Sequence, residues 1–213
     1  GPGLGSHAMY SLGALNSQYM GLEASPHSYS IQRNVFRSIV PEVGAYLDPI
    51  ECENFGLDYA ALEEQINSDN SYRIKHLPSW HAPMVNRNSI DLVTASFVLN
   101  EVSYSGILWL LSHASRLLRK GGYFYIRDSG KLKPGRHSVN YDEVLVALGF
   151  AQVGRLEVRN RIDFYGIPRI YQKQTEESSS FDDLVEGYLG RFAVVSHGGE
   201  YNQNLDLIPT ATE

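Results

Sequence analysis

Three glycines at alternate positions, Gly1, Gly3 and Gly5, stand directly before a stretch of helical periodicity, and an acid, Glu23, follows 18 residues after Gly5. Glycines in that spacing let backbone N–H groups approach a ligand without side-chain obstruction, and a helix start behind them favours polar or anionic ligand groups. An acid at the end of the next strand can accept both hydrogen bonds of a ribose diol. Together they point to a nucleoside-type ligand. Two other readings stand beside it. Strings such as Gly-Pro-Gly-Leu-Gly-Ser-His also occur as expression scars. A nicotinamide-dinucleotide oxidoreductase would carry a glycine where this chain has Ser6.

Further candidates sit where strands are expected to end. Glu101 follows a strongly apolar run, and a carboxylate there serves either as a general base or as a helix N-terminal acid favoured by the dipole. His137 lies in the segment after Asp128 and has an ordinary pKa suited to proton abstraction near neutrality, although a solvated loop histidine has the same signature. Asp128 suits a turn as well as a ligand. His76 and His81 flank Trp80 and suit either a pocket wall or core packing. Tyr104 suits a hydrogen bond to a second substrate or a solvated face.

The elements that must position these residues follow from periodicity. Helices are expected over 6–14, 28–40, 59–66, 105–118, 141–148 and 182–192, and strands over 19–22, 72–77, 90–97, 123–127, 151–160 and 164–172. The spans 41–56 and 78–89 read as loop. The run Ile-Asp-Leu-Val-Thr-Ala-Ser-Phe from Ile90 is nearly continuous in apolar character, as in a parallel strand buried on both faces. The stripe Ile107, Leu108, Leu111, Ala114, Leu117 and Leu118 reads as a core-facing helix surface. Strands alternating with helices, then two adjacent strands, predict a doubly wound, mostly parallel α/β sheet closed by an antiparallel hairpin. In such sheets ligands sit beyond the C-terminal strand ends.

Composition narrows the classes. The 213 residues are 43% hydrophobic and 20% charged, too apolar for a disordered chain. A net charge of -6 argues against general nucleic-acid or polybasic membrane binding. Cys52 is the single cysteine, so no internal disulfide forms, and no Cys/His spacing of a structural zinc site is present. A cytoplasmic location is the expectation.

The ordered motifs Gly-Pro-Gly-Leu-Gly, Met-Gly-Leu-Glu-Ala-Ser at 20–25, Asp-Leu-Val-Thr-Ala-Ser at 91–96 and Arg-Leu-Leu-Arg-Lys-Gly-Gly-Tyr-Phe-Tyr-Ile-Arg-Asp at 116–128 resemble those of class I S-adenosylmethionine-dependent methyltransferases. The resemblance covers roughly residues 1–173 and implies a Rossmann-like methyltransferase domain over 1–174, followed by linker, short helix and tail over 175–213. That family places a central strand before the glycine loop, so a domain with its first strand truncated is expected. The resemblance implies that Gly1, Gly3 and Gly5 lie beside the methionine part of S-adenosylmethionine and that Glu23 takes the ribose. It places Ala24 and Ser25 at the adenine edge, Leu77 and Pro78 against the adenine ring, and Ser96 and Phe97 beneath the methyl-bearing sulfur. Asn100-Glu101 and Tyr29-Ser30-Ile31-Gln32-Arg33 resemble, more narrowly, sugar O-methyltransferases of bacterial polysaccharide clusters. That implies a small-molecule acceptor with a sugar hydroxyl, with Glu101 and His137 as candidate bases.

Overall fold

A computed structural model of the chain describes residues 6–42, 44–50, 56, 58–68, 72–99, 102–127, 141–155, 168–177 and 179–189. The chain divides into two compact units, Gly1–Asn86 and Arg87–Glu213. No described helix is long and apolar enough to cross a membrane.

The first unit carries α1 (Ser6–Gly13), β1 (Tyr19–Glu23), α2 (Pro26–Ile39), β2 (Tyr46–Leu47), α3 (Tyr59–Asn67), β3 (Ile74–Pro78) and a 3₁₀ helix (Ser79–Met84). Its sheet is parallel, with β3 between β1 and β2. All five residues of β3 are buried, as a central parallel strand requires. Ser25 starts α2: its hydroxyl accepts from the Ser28 amide at 3.3 Å, and Pro26 fills a first-turn position where its missing N–H costs nothing. Helical spacing then buries Tyr29, Gln32 and Phe36 on one face. Phe36 joins Ala8, Leu12, Val40, Ala45 and Ile74 in the core.

Two spans expected as loop hold structure. In 41–56, Tyr46 and Leu47 pair with Ile74 and Lys75 as β2, too short a strand to leave a period in the sequence. In 78–89, Ser79–Met84 form the 3₁₀ helix, with Pro83 inside it.

The second unit carries β4 (Ile90–Ser96), α4 (Tyr104–Leu117), β5 (Leu118–Arg127), α5 (Tyr141–Ala147), β6 (Phe150–Arg155), β7 (Arg169–Lys173), α6 (Phe181–Leu184) and a π-helical turn (Val185–Leu189). Strand order is β4-β5-β7-β6; β4 and β5 run parallel, and β7 lies antiparallel to both β5 and β6. The closing antiparallel hairpin is therefore as expected. Strand β5 starts at Leu118, five residues earlier than periodicity suggested. Its ladder with β4 jumps from Ile90↔Leu118 to Leu92↔Tyr123, and the residues between bulge out at Gly121, whose φ is +80°.

One face of this sheet builds the core. Ala95, Phe124, Ile126 and Tyr171 pack against Leu108 and Leu111 of α4, Val144 and Leu145 of α5, and Leu184 of α6. The expectation that β4 is buried on both faces is not met: Leu92 is 49% exposed and Asp91 and Thr94 are exposed. Among the described strands β4 is at the edge of its sheet, and Ile90, Val93 and Ala95 are its residues packed in the core.

Gly149 follows α5 with φ +79°, and its amide donates to the Val146 carbonyl at 2.9 Å. A Cβ there would clash with Thr175 Oγ1. Gly149→Ala is expected to cost roughly 2 kcal/mol, from the left-handed backbone and the clash together. Adding Thr175→Ala should recover only the steric share, which urea melts of the single and double variants will read.

Candidate functional site

Glu23 ends β1, directly across from Pro78 in the ladder with β3. The chain turns there into α2, and the turn holds the carboxylate at both oxygens. The Ser25 amide donates to Glu23 Oε1 at 2.9 Å, and Gln32 Nε2 donates to Oε2 at 2.8 Å. Beyond this strand end lies a cavity of about 190 Å³ lined by Glu23, Ser25, Ser30, Arg33, Ile50 and Trp80, with Ala24, Pro26 and Tyr29 completing its wall. Full ligand pockets span roughly 300–1,000 Å³, so this one suits a single moiety of a larger ligand. Its lining offers a carboxylate acceptor, serine hydroxyls and the Arg33 guanidinium, together with an indole, an isoleucine and a proline ring as apolar surface.

Behind the cavity wall lies a buried polar cluster. His76 on β3 is fully buried, Gln32 is 3% exposed and Tyr29 is 3% exposed. His76 Nε2 stands 3.0 Å from Gln32 Oε1, and the Tyr46 hydroxyl stands 2.9 Å from His76 Nδ1. Tyr29 stacks on the imidazole at 3.8 Å and 12°, and Phe36 meets it edge-on at 4.8 Å and 85°. Burial lowers the His76 pKa, Glu23 opposes that and Arg33 adds to it, and together they leave it at about 4. The imidazole is therefore neutral at pH 7. The Tyr29 hydroxyl is shared between Asp48 Oδ1 at 2.8 Å and the His76 carbonyl at 2.7 Å, and burial, then Asp48, pushes its pKa up. Asp48, with its side chain 1% exposed, also accepts from the Ile50 amide at 3.1 Å and pairs with Arg33 at 2.5 Å.

Of the candidate residues, the structure gathers Glu23, Ala24 and Ser25 at the cavity. Leu77 is fully buried and Pro78 is buried, and neither lines it. His76 and His81 are both buried and pack in the interior, whereas Trp80 between them in sequence is 56% exposed and faces the cavity. Gly1, Gly3, Gly5, Glu101, Asp128 and His137 lie outside the described residues.

In the second unit, Ser96 closes β4 half-buried, and Phe97 follows it with φ +57°. A bulky residue in the left-handed region is strained, and such strain concentrates at functional turns. Here the Phe97 amide donates to the Arg127 carbonyl at 2.7 Å, and the Arg127 guanidinium lies 5.5 Å from the Phe97 ring centre. Both contacts hold the turn at the C-terminal end of β4.

No protein-family model matches the chain, and no curated protein matches it. Solved structures do. The (4+2) cyclase SpnF is similar over 82% of this chain and 74% of its own, at 15% identity and a TM-score of 0.53. An S-adenosylmethionine-dependent methyltransferase from Mesorhizobium loti matches over 81% of this chain and 88% of its own, at 13% identity and a TM-score of 0.51. A TehB-like S-adenosylmethionine-dependent methyltransferase from Corynebacterium glutamicum matches over 81% and 76%, at 14% identity and a TM-score of 0.50. The chain has the Rossmann-like methyltransferase fold. At these identities the likeness is one of fold, and function has to be argued from the site.

Sequence reasoning found Glu23 but not what holds it. Gln32, Tyr46, Asp48 and His76 form the supporting shell; the sequence marked Gln32 in the apolar stripe of α2 and His76 as pocket wall or core packing, but not the pairings that join them.

Proposed function

We propose that this chain binds S-adenosylmethionine and transfers its methyl group to an oxygen of a small-molecule acceptor, a sugar hydroxyl in the narrower reading. The observation that supports it most is Glu23, fixed by two donors at the end of a parallel strand and lining a cavity that Ile50 and Trp80 also line. That donor set fits a nucleoside: the carboxylate accepts from a diol, and Trp80 and Ile50 offer surface for a base. S-adenosylmethionine, when bound, supplies an electrophilic methyl group. The protein then has mainly to hold donor and acceptor in line and exclude alternatives. Glu23 anchors the ribose end, with Ala24 and Ser25 at the base edge. By the family resemblance, Gly1, Gly3 and Gly5 are assigned to the methionine end, and Ser96 and Phe97 to the methyl-bearing sulfur. A sugar hydroxyl is a poor nucleophile, so proton abstraction falls to Glu101 or His137.

Titration calorimetry with S-adenosylhomocysteine tests the reading. Glu23→Ala should weaken binding by roughly 10- to 100-fold, the loss of hydrogen bonds worth about 1–3 kcal/mol. Tight NAD binding with no heat from S-adenosylhomocysteine would instead support the oxidoreductase alternative. The likeness to a cyclase favours a second reading, in which the same pocket serves a reaction other than methyl transfer. S-adenosylhomocysteine binding without methyl transfer to any sugar nucleotide or oligosaccharide would select it.

A further inference from the structure

The hydrogen bonds behind Glu23 can run in only one direction, and that direction follows from the carboxylate. An ionised carboxylate only accepts, so the Gln32 atom 2.8 Å from Glu23 Oε2 is the amide nitrogen. The Gln32 oxygen then faces His76 Nε2 at 3.0 Å, and Nε2 must carry a proton. In a neutral imidazole the other nitrogen is a lone pair, and it meets the Tyr46 hydroxyl at 2.9 Å, which donates. Four residues from three strands and one helix thus share one ordered chain, from the Tyr46 hydroxyl through His76 and Gln32 to Glu23. The imidazole cannot turn over within it, because Tyr29 stacks on one face and Phe36 closes edge-on.

We propose that Tyr46, His76 and Gln32 act as positioning residues: a one-way hydrogen-bond relay that holds Glu23 as an acceptor for a vicinal diol and so sets preference for a ribonucleoside over its dideoxy counterpart. The inference rests on the nucleoside reading above and adds residues that do not touch the ligand. Neither Gln32, His76 nor Tyr46 lines the cavity. Their effect is to keep an N–H, never a second acceptor, against Glu23. With the Gln32 amide reversed, two oxygens would face one another, and the carboxylate would swing from the position that accepts two hydroxyls. Tyr46 supports this from two residues away, because its hydroxyl satisfies the Nδ1 lone pair that the Glu23-set tautomer leaves.

The test combines two measurements on the full chain. In ¹⁵N-histidine-labelled protein at pH 7, His76 should show a protonated Nε2 and an unprotonated Nδ1, and Tyr46→Phe should give mixed tautomers. Calorimetry with adenosine and 2′,3′-dideoxyadenosine should show wild type preferring adenosine, with the preference falling about 3- to 10-fold in Tyr46→Phe while affinity for the dideoxynucleoside holds. Gln32→Met, which keeps side-chain length and removes both polar atoms, should produce the same loss of preference. Protonation at Nδ1 in the wild type, or an undiminished adenosine preference in both variants, would overturn the relay and leave the nucleoside reading standing. A wild-type chain that binds neither adenosine nor S-adenosylhomocysteine would overturn the nucleoside reading and the diol role with it.

Discussion

Replacing Lys173 with methionine should lower the stability of the second unit by roughly 3–5 kcal/mol, among the largest effects expected of any single substitution in this chain. Lys173 on β7 is fully buried, yet its ammonium group is not isolated. Nζ donates to the Ser115 carbonyl at 2.5 Å, to the Leu118 carbonyl at 2.9 Å and to Asn88 Oδ1 at 3.2 Å. Two of those acceptors are carbonyls at the end of α4, where the helix has no further amides to offer and its dipole is negative. Burial lowers the lysine's pKa, and Arg87 lowers it further against Glu176, so the charge is costly to keep there. The carbonyls offset that cost. Methionine keeps the stem but leaves two buried carbonyls, those of Ser115 and Leu118, without this donor, each costing about 1–3 kcal/mol before relaxation, while the exposed Asn88 turns to water. Trp109 sits on α4, so with Trp80→Phe as background the remaining fluorescence follows this unit through a urea melt. A loss below about 1 kcal/mol would show that water reaches those carbonyls.

The first unit uses the same device. Lys75 on β3, 7% exposed, donates from Nζ to the Ile66 and Ser68 carbonyls at 2.8 and 3.0 Å, at the end of α3. Neither lysine was legible in the sequence. Lysine in a strand reads as a solvent-facing residue, and nothing local signals that a helix end from elsewhere in the chain will stand over it.

The same physics separates what the sequence did and did not reveal more generally. Helix α2 was legible because Ser25, Pro26 and the apolar spacing of Tyr29 and Phe36 are local signals that agree. The place of Glu23 at the end of β1 was legible because it closes a compact apolar run. Strand β2 was not, since two residues cannot display a period of two. Leu77 and Pro78 were placed at the ligand by resemblance; both are buried, and neither lines the cavity beside Glu23. The cluster around His76 was read as packing or pocket wall without distinction, because its meaning lies in pairings such as Tyr46 with His76 and Gln32 with Glu23, which join β2 to β3 and α2 to β1.

His76 also sets the second large expectation, a loss of stability on mild acidification. An unfolded histidine takes up its proton around pH 6.5, whereas His76 in the fold resists until about pH 4. Between those values the unfolded chain binds one proton more than the folded chain, so stability must fall as pH falls. The slope approaches about 1.4 kcal/mol per pH unit for one proton, and the total is roughly 3 kcal/mol. Below about pH 4 both states hold the proton and this contribution stops growing. His113, whose pKa burial also lowers against the opposing hydrogen bond to the Trp109 carbonyl, acts with the same sign in the second unit. The two are separable. Trp80 belongs to the first unit, so with Trp109→Phe as background, urea midpoints at pH 7, 6 and 5 report on the unit that holds His76. Wild type should lose stability steeply across that range, and His76→Gln, which keeps an amide donor beside Gln32 but cannot take up a proton, should lose far less. Absolute stability at pH 7 is not the discriminating quantity, because the substitution also disturbs the stack with Tyr29. The slope is, since only a group that titrates differently in the two states produces one. Parallel slopes for wild type and variant would mean that His76 accepts a proton freely within the fold, which its stacking between Tyr29 and Phe36 and its donor from Tyr46 should prevent.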